Sequence, residues 1–333
     1  MRNAALLLTL LLAGCGGNRP PPAAPIATEA PAAPPSGDKQ LALAKRYIVA
    51  LQAADVKASY APDAKLVFAG LPDAAGADVI AKRYKRLFGS LADFKVAASR
   101  IWIRGNHVAI EWAASGVAAR PWMGFPAKGS PIGFPALTLL TLNDGGLIKE
   151  EHTYIDLVTV LTQIGAGPAG AKARAAPPLA AAPEVVISSG RPGEDRGVEL
   201  SKAMAAAMDR GDEAAYIALV TSDVAHANAA AAEPAVGVDK ERDHFRRSLH
   251  AFRDLKQPSD GWGVQDFALV EWTATGKNVG AIGPFPATNK TVTWHGADVV
   301  QVRDGKISRI TVYFDRIELY SQVGAIKPFP AVD

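Results

Sequence analysis

The chain has 333 residues and a nearly balanced charge, with 36 Lys and Arg against 33 Asp and Glu and a formal net charge of +3. Because these charges are spread along the chain without a basic block, the composition excludes the basic stripe of a nucleic-acid-binding protein, and we predict no nucleic-acid partner. Cys15 is the only cysteine, which excludes an intrachain disulfide.

The first residues have the features of an export signal. A charged start at residues 1–3 precedes an apolar run over residues 4–12, which is too short to span a bilayer. The sequence Leu-Ala-Gly-Cys at residues 12–15 resembles a bacterial lipobox, with Cys15 as the lipidation site and a buried structural cysteine as the alternative. We therefore predict a signal peptide over residues 1–15 and a lipid-anchored protein of the cell envelope. Gly16 replaces the aspartate that often retains lipoproteins at the inner membrane, which favours the outer membrane.

Two segments rich in Pro, Ala and Gly divide the rest of the chain. Residues 16–38 cannot bury a core and are predicted to form an extended spacer. Residues 167–197 are predicted to be an interdomain linker, in which residues 184–187 have the pattern of a short strand. The folded domains are then residues 39–166 and 198–333, and each is long enough for its own core.

Helices are predicted first in each domain, and strands follow. Apolar spacing predicts helices over residues 40–53, 76–91, 198–210 and 240–252. Hairpins are predicted around Gly105-Asn106 and Asp304-Gly305, and a closing helix begins at Asp156 or Asp315. The predicted strands are residues 99–103, 108–112, 291–295, 298–302 and 307–314. This order indicates an α+β fold with a mainly antiparallel sheet that helices cover on one face.

The two domains repeat one sequence pattern in the same order. Glu111-Trp112 returns as Glu271-Trp272, and Tyr154-Ile155-Asp156 returns as Tyr313-Phe314-Asp315. The matched residues lie 159 to 161 positions apart, which is far too long a period for a solenoid. The chain therefore contains two copies of a whole domain.

This ordered pattern resembles the SnoaL-like (polyketide cyclase, ester cyclase) branch of the nuclear transport factor 2-like superfamily. The resemblance is carried by residues 285–287, 292–296, 303–307, 313–315 and 322–324, and more loosely by the first domain. It implies tandem cone domains, each a curved, mainly antiparallel sheet wrapped on N-terminal helices around an apolar pocket. The superfamily contains both enzymes and binding modules, so the fold does not decide the function.

The resemblance implies an aspartate general acid/base at Asp156 and Asp315, in an apolar pocket that would raise its pKa. Each aspartate also stands at the start of a closing helix, where a helix N-cap is the alternative interpretation. Strand alternation places His152 on one face with Tyr154 and Asp156, where the three residues are expected to share a proton or a ligand. The alternative for His152 is a structural histidine, and Thr311 takes its place in the second domain.

Aromatic side chains are the candidates for an apolar ligand site, with core packing as the alternative. Glu111 and Glu271 are expected to point to the opposite strand face, into solvent. The candidate ligand-binding residues are Tyr154, Tyr313, Trp112, Trp272 and Trp294.

Other chemistries lack their motifs. The histidines have no metal-ligand spacing, and neither a phosphate-binding glycine loop nor a Gly-x-Ser-x-Gly motif occurs, so we predict no metal and no cofactor. The leading hypothesis is a lipid-anchored extracytoplasmic protein that binds a small apolar molecule or a protein partner without turnover. The alternative is a cyclase- or isomerase-like enzyme that uses Asp156 or Asp315. Because domains of this superfamily commonly dimerise through the outer sheet face, the two domains are expected to pair as a pseudo-dimer within the chain.

Overall fold

The structure is a computed structural model that describes residues 37–326, except residues 128, 172, 173 and 232. Cys15, the predicted signal peptide and nearly all of the predicted spacer lie outside the described residues, as do residues 327–333. Within the described part of the chain, no helix has the length and apolar character needed to cross a membrane.

The described residues form helices α1 to α7 and strands β1 to β14. The helices are α1 (Asp38–Gln52), α2 (Ala77–Phe88), α3 (Leu157–Gln163), α4 (Arg196–Arg210), α5 (Glu213–Ala218), α6 (Val238–Ala251) and α7 (Arg316–Gln322). The strands of the first sheet are β1 (Tyr60–Phe68), β2 (Ala74–Ala75), β3 (Ala92–Arg104), β4 (His107–Ala118), β5 (Ser130–Leu142), β6 (Ile148–Ile155) and β7 (Glu184–Ile187). Those of the second are β8 (Val220–Asn228), β9 (Ala235–Val236), β10 (Phe252–Lys256), β11 (Ser259–Val264), β12 (Phe267–Asn278), β13 (Thr291–Arg303) and β14 (Lys306–Phe314).

Each repeat is a curled, mainly antiparallel sheet with helices packed against it. The strand order is β2-β1-β6-β5-β4-β3-β7 in the first sheet and β10-β12-β13-β14-β8-β9 in the second, where β11 also pairs with β12. The pairs β1–β6, β3–β7 and β8–β14 are parallel. Helices α1 and α2 pack against β3 and β1, and helices α4 and α6 pack against β11 and β8. The predicted α+β cone fold is confirmed.

The predicted hairpins form where the sequence allows left-handed backbone. At the β13–β14 turn, Asp304 and Gly305 have φ of 53° and 72°, as a tight two-residue turn requires. Residues 291–295 and 298–302, predicted as two strands, are one strand because Gly296 and Ala297 continue the pairing with β12. The short strand predicted at residues 184–187 also forms, and it extends the first sheet beside β3.

The outer faces of the two sheets pack against each other. A second buried cluster, separate from the cone interiors, joins apolar side chains of both repeats. The ring centroids of Trp102 and Phe267 lie 5.7 Å apart across this contact. Arg104 also forms an ion pair with Asp195 near the start of α4. That the two repeats also pair in this way in solution stays a prediction.

Candidate functional site

A cavity of about 430 Å³ lies inside the cone of the second repeat, bounded by α4, α6 and the concave face of the sheet. Most of its wall is apolar or aromatic, as is usual for small-molecule sites. The large side chains of the wall include Met204, Met208, Phe252, Trp272, Trp294 and Phe314. Of the predicted ligand-binding residues, Trp272 and Trp294 therefore line a cavity.

Asp298 is the polar group of β13 in this wall. Its Oδ1 accepts a hydrogen bond from Nε1 of Trp272 at 2.9 Å, and its Oδ2 has no hydrogen-bond partner among the described residues. Burial raises the pKa of Asp298 to about 6, against the smaller lowering effects of the Trp272 hydrogen bond and of His226. Gly296 makes room for the Trp272 ring, since a Cβ at this position would lie 2.2 Å from a ring carbon.

The polar residues Tyr216, His226 and His244 also line the cavity, and Glu241 is buried behind them. One carboxylate oxygen of Glu241 accepts a hydrogen bond from the Tyr216 hydroxyl at 2.6 Å, and the other is hydrogen-bonded to Nδ1 of His226 at 2.8 Å. Burial opposes ionisation of this carboxyl, but the hydrogen bond and charge of His226 lower the pKa of Glu241 to about 2. Burial lowers the pKa of His226, and the Glu241 hydrogen bond and charge outweigh burial and raise it. The neighbouring His244 is uncharged at neutral pH because burial and His226 lower its pKa to about 3.

The first repeat has different residues at the positions of these polar groups. Trp112, which matches Trp272, donates from Nε1 to the hydroxyl of Thr138 at 3.0 Å, so Thr138 stands where the second repeat has Asp298. The strand and helix registers place Leu66 and Ile80 at the positions of His226 and Glu241. The acid and base groups of the cavity therefore belong to the second repeat alone.

Side chains fill the interior of the first cone. Rings of Phe88, Phe134 and Trp112 pack together with centroids 6.0 to 6.4 Å apart. Glu151 is fully buried beside them and accepts hydrogen bonds from the hydroxyls of Tyr47, Tyr60, Tyr84 and Thr153. The predicted ligand residue Trp112 lies in this packed core, as the alternative interpretation expected.

Asp156 and Asp315 are N-caps of α3 and α7, and neither is among the residues that line the cavity. Each aspartate also reaches the other repeat. Oδ1 of Asp315 accepts from the backbone N–H of Leu157 at 3.1 Å, and Oδ1 of Asp156 accepts from the backbone N–H of Arg316 at 3.1 Å. The Arg316 guanidinium also pairs with Asp156, with 2.6 Å between Nη2 and Oδ2. Burial, and then the charge of Asp156, raise the pKa of Asp315. A catalytic role for either residue stays a hypothesis.

His152, Tyr154 and Tyr313 lie at the contact between the two sheets and not in the cavity of the second cone, and Tyr313 lines a second cavity at this contact. The Tyr154 hydroxyl donates to Glu271 at 2.6 Å, and the Tyr313 hydroxyl donates to Glu111 at 2.5 Å. These glutamates point away from the cone interiors as expected, but they accept hydrogen bonds across the contact. Alternation predicted correctly that His152 and Tyr154 share a face, but it could not say which face is the inner one.

The family of the chain follows from its two matches to one family model. The model, described as SnoaL-like polyketide cyclase, matches residues 45–164 and 198–323. The chain belongs to the SnoaL-like polyketide cyclase family.

Solved structures resemble one SnoaL-like repeat at a time. A protein described as a SnoaL-like polyketide cyclase from Jannaschia sp. CCS1 is 23% identical, with a TM-score of 0.37, over 39% of this chain and 94% of that chain. AclR from Streptomyces galilaeus, described as a hydroxylase, is 22% identical, with a TM-score of 0.37, over 41% and 85%. A protein described as a polyketide cyclase from Xanthomonas campestris pv. campestris is 26% identical, with a TM-score of 0.33, over 39% and 98%. No curated protein matches the chain.

The polar groups of the second SnoaL-like repeat were missed by sequence reasoning. One available signal was the alignment of the repeats, which pairs the acidic Asp298 with Thr138 inside an otherwise apolar strand. Another was the replacement of apolar Leu66 and Ile80 by His226 and Glu241. Among the residues that the structure describes, no group of three His, Cys, Asp or Glu is placed to hold a metal ion.

His152 gives a prediction for pH dependence. Burial lowers its pKa, but hydrogen bonds and charges of Glu271 and Glu150 outweigh burial and raise it from 6.5 to about 9. Because the pKa of the folded state is the higher one, the stabilisation is complete below about pH 6.5 and is lost as the pH rises to about 9.

The variant His152→Thr carries the residue that the second repeat has at Thr311. We expect the natural protein to be more stable than this variant by on the order of 1–3 kcal/mol at pH 6, and the gap to close toward pH 9. Urea unfolding of both proteins at several pH values measures this difference in stability. A difference in stability that stays constant from pH 6 to pH 9 would contradict the raised pKa of His152 in the folded protein.

Proposed function

We propose that this protein is lipid-anchored at the cell envelope and that its second SnoaL-like repeat binds a small apolar molecule with one polar group. The observation that carries the proposal is the cavity of about 430 Å³, in which Trp272 and Trp294 supply apolar wall and Asp298 supplies an open carboxylate oxygen. Small-molecule sites have volumes of about 300–1,000 Å³ and a few placed polar groups. Both properties favour a ligand site over an imperfection in the core.

The two repeats have different roles under this proposal. The first cone is filled by aromatic rings and by the hydrogen-bonded Glu151, so it serves as a rigid partner for the second. The interface also fixes β14 of the second sheet, because Tyr313 donates to Glu111 of the first repeat. A supported sheet holds the cavity wall in one geometry, which limits the entropy lost when a ligand binds.

The anchor and the location are supported by the sequence alone. An apolar run, a lipobox-like segment ending at Cys15 and a proline-rich spacer are the parts of a tethered lipoprotein. Mass spectrometry of the mature N-terminus tests this part of the proposal. We expect the mature chain to begin at a lipid-modified Cys15, and the variant Cys15→Ser to lose the modification. An unmodified Cys15 in the mature protein would contradict the anchor.

Ligand binding is tested by blocking the cavity from one helix. Ala205 of α4 lines the cavity, whereas the next residue, Ala206, is exposed on the same helix. Ala205→Phe should therefore fill the cavity, and Ala206→Phe is its matched control. We expect native mass spectrometry of the full chain to show a retained small molecule in the natural protein and in Ala206→Phe, and to show less of it in Ala205→Phe. Equal retention by the two variants would place the ligand elsewhere, and retention by none would favour a protein partner.

A second candidate function is proton transfer on a carbonyl compound, as in a cyclase or an isomerase. The observation that favours it is Asp298, whose pKa of about 6 suits a general acid/base near neutral pH. In this candidate function the catalytic residue is Asp298 of the cavity wall and not Asp156 or Asp315. Turnover of the retained molecule that Asp298→Asn abolishes would support the enzyme, and unchanged turnover in that variant would exclude Asp298 as its acid/base.

A further inference from the structure

We infer that the ligand of the second repeat carries one positive charge, which lies against Asp298 and the aromatic rings of the cavity. The inference rests on the proposed function, because it names the chemical class of the molecule that this cavity takes. A tertiary or quaternary ammonium group with an apolar substituent fits the description.

The charges of the polar groups at the cavity do not balance. Glu241 has its counter-charge in His226, whose Nδ1 lies 2.8 Å from the carboxylate. His244 is uncharged at neutral pH. Asp298 feels the charge of His226 but forms no ion pair among the described residues, and its hydrogen bond comes from the neutral indole N–H of Trp272.

Enclosed carboxylates are normally paired with a cation or fully hydrogen-bonded. Asp298 departs from this rule, since its Oδ2 is open to the cavity, and its raised pKa reflects a charged form that burial disfavours. Two further charged residues of the lining, Glu233 and Arg247, are exposed and of opposite sign, and neither forms an ion pair with Asp298. The missing partner of Asp298 is therefore expected from the ligand.

Aromatic rings line the same cavity as this carboxylate. The rings of Phe252 and Trp294 have centroids 4.7 Å apart, and those of Trp272 and Phe314 lie 6.2 Å apart. Aromatic faces attract cations, and rings beside an acid are a common site for quaternary ammonium groups. An anionic ligand would instead meet the Asp298 carboxylate inside a largely apolar space.

The first repeat supplies the matched comparison. Thr138 replaces Asp298 beside the equivalent tryptophan, so the first cone has no carboxylate at this position, and its buried Glu151 is bonded to tyrosine hydroxyls instead. The preference for a cationic ligand thus depends on one residue position. The variant Asp298→Thr, which carries the residue of the first repeat, should remove this preference. This variant keeps a hydroxyl acceptor for the Trp272 N–H, which protects the fold.

The test compares two probes of the same shape. Choline carries a quaternary nitrogen, and 3,3-dimethylbutanol has carbon in its place and no charge. Ligand-observed NMR measures the Kd of each probe for the full chain, for Asp298→Asn and Asp298→Thr, and for the control Thr138→Val. We expect choline to bind about tenfold more tightly than the alcohol in the natural protein and in Thr138→Val, and the ratio to fall to about one in both Asp298 variants.

Each outcome separates the inference from the proposed function. If both probes bind the natural protein equally and Ala205→Phe blocks both, the cavity is a ligand site but the charge inference is overturned. If the preference for choline survives in folded Asp298→Thr, the inference is overturned as well. If neither probe binds, or if Ala205→Phe has no effect on either, the charge inference is overturned, while the native mass spectrometry of Ala205→Phe still decides the proposed function.

Discussion

Replacing Glu151 with alanine is expected to destabilise the protein by about 4 kcal/mol, because buried hydroxyls left without an acceptor cost roughly 1–3 kcal/mol each. The Glu151 carboxylate accepts from three tyrosines, with 2.7 Å to the Tyr47 hydroxyl and further bonds from Tyr60 and Tyr84. Some of the loss is recovered, since the Tyr47 and Tyr84 hydroxyls lie 3.3 Å apart and can bond to each other. Urea unfolding of the full chain measures the change.

The neighbouring Glu150 is the matched control for this prediction. It alternates to the other face of β6, and its side chain is 48% exposed. We expect Glu150→Ala to change the free energy of unfolding by less than about 1 kcal/mol. The account of the first cone would be wrong if the two alanine variants had equal stability, because the tyrosine hydroxyls would then not depend on Glu151.

Replacing Arg316 with methionine is expected to cost about 3–5 kcal/mol, because it leaves the carboxylate of Asp156 buried without its cation. The side chain of Asp156 is 4% exposed and that of Arg316 is 18% exposed. Asp315 adds to the effect, since it is a second buried acid at the same contact between α3 and α7. The exposed Arg196, which pairs with Glu199 on one helix, is the control, and Arg196→Met should cost no more than about 0.5 kcal/mol.

A double variant distinguishes an unpaired charge from lost packing. Asp156→Asn in the Arg316→Met background removes the carboxylate that the single variant leaves unpaired, while the amide still accepts from the helix N-terminus. We expect the double variant to be more stable than Arg316→Met alone. Equal or lower stability of the double variant would show that the methylene packing of Arg316, and not its charge, holds this contact.

The fold was predictable because its signals are local or repeated. Helical spacing predicts α2, where Ile80, Tyr84 and Leu87 are all buried, and Asp304-Gly305 predicts the β13–β14 turn. The repeat itself made the domain pattern secure, since the same order of residues occurs twice. These signals need no knowledge of which residues meet across the sheet.

The site was harder to predict because it depends on which strand face is the inner one. Period-two alternation groups His152 with Tyr154 and groups Glu151 with Thr153, but it is equally consistent with either face pointing inward. The repeated tryptophans could be recognised in the sequence. The difference between them lies in the side chain that accepts from the indole N–H, which is 26 positions further along: Thr138 for Trp112 and Asp298 for Trp272. The N-cap interpretation of Asp156 and Asp315 followed from their position, whereas their bonds to the other repeat depend on tertiary packing.

The central claim is that the second cone, and not the first, is the ligand site, and the indole N–H signals of the tryptophans test it most directly. A ¹⁵N NMR spectrum of the full chain, assigned with Trp→Phe variants, is recorded before and after adding small molecules extracted from the cell envelope. We expect the signal of Trp272, whose N–H is bonded to Asp298, and that of Trp294 to shift while that of Trp112 stays in place. A shift of Trp112 with Trp272 unchanged, or no shift of either, would contradict it.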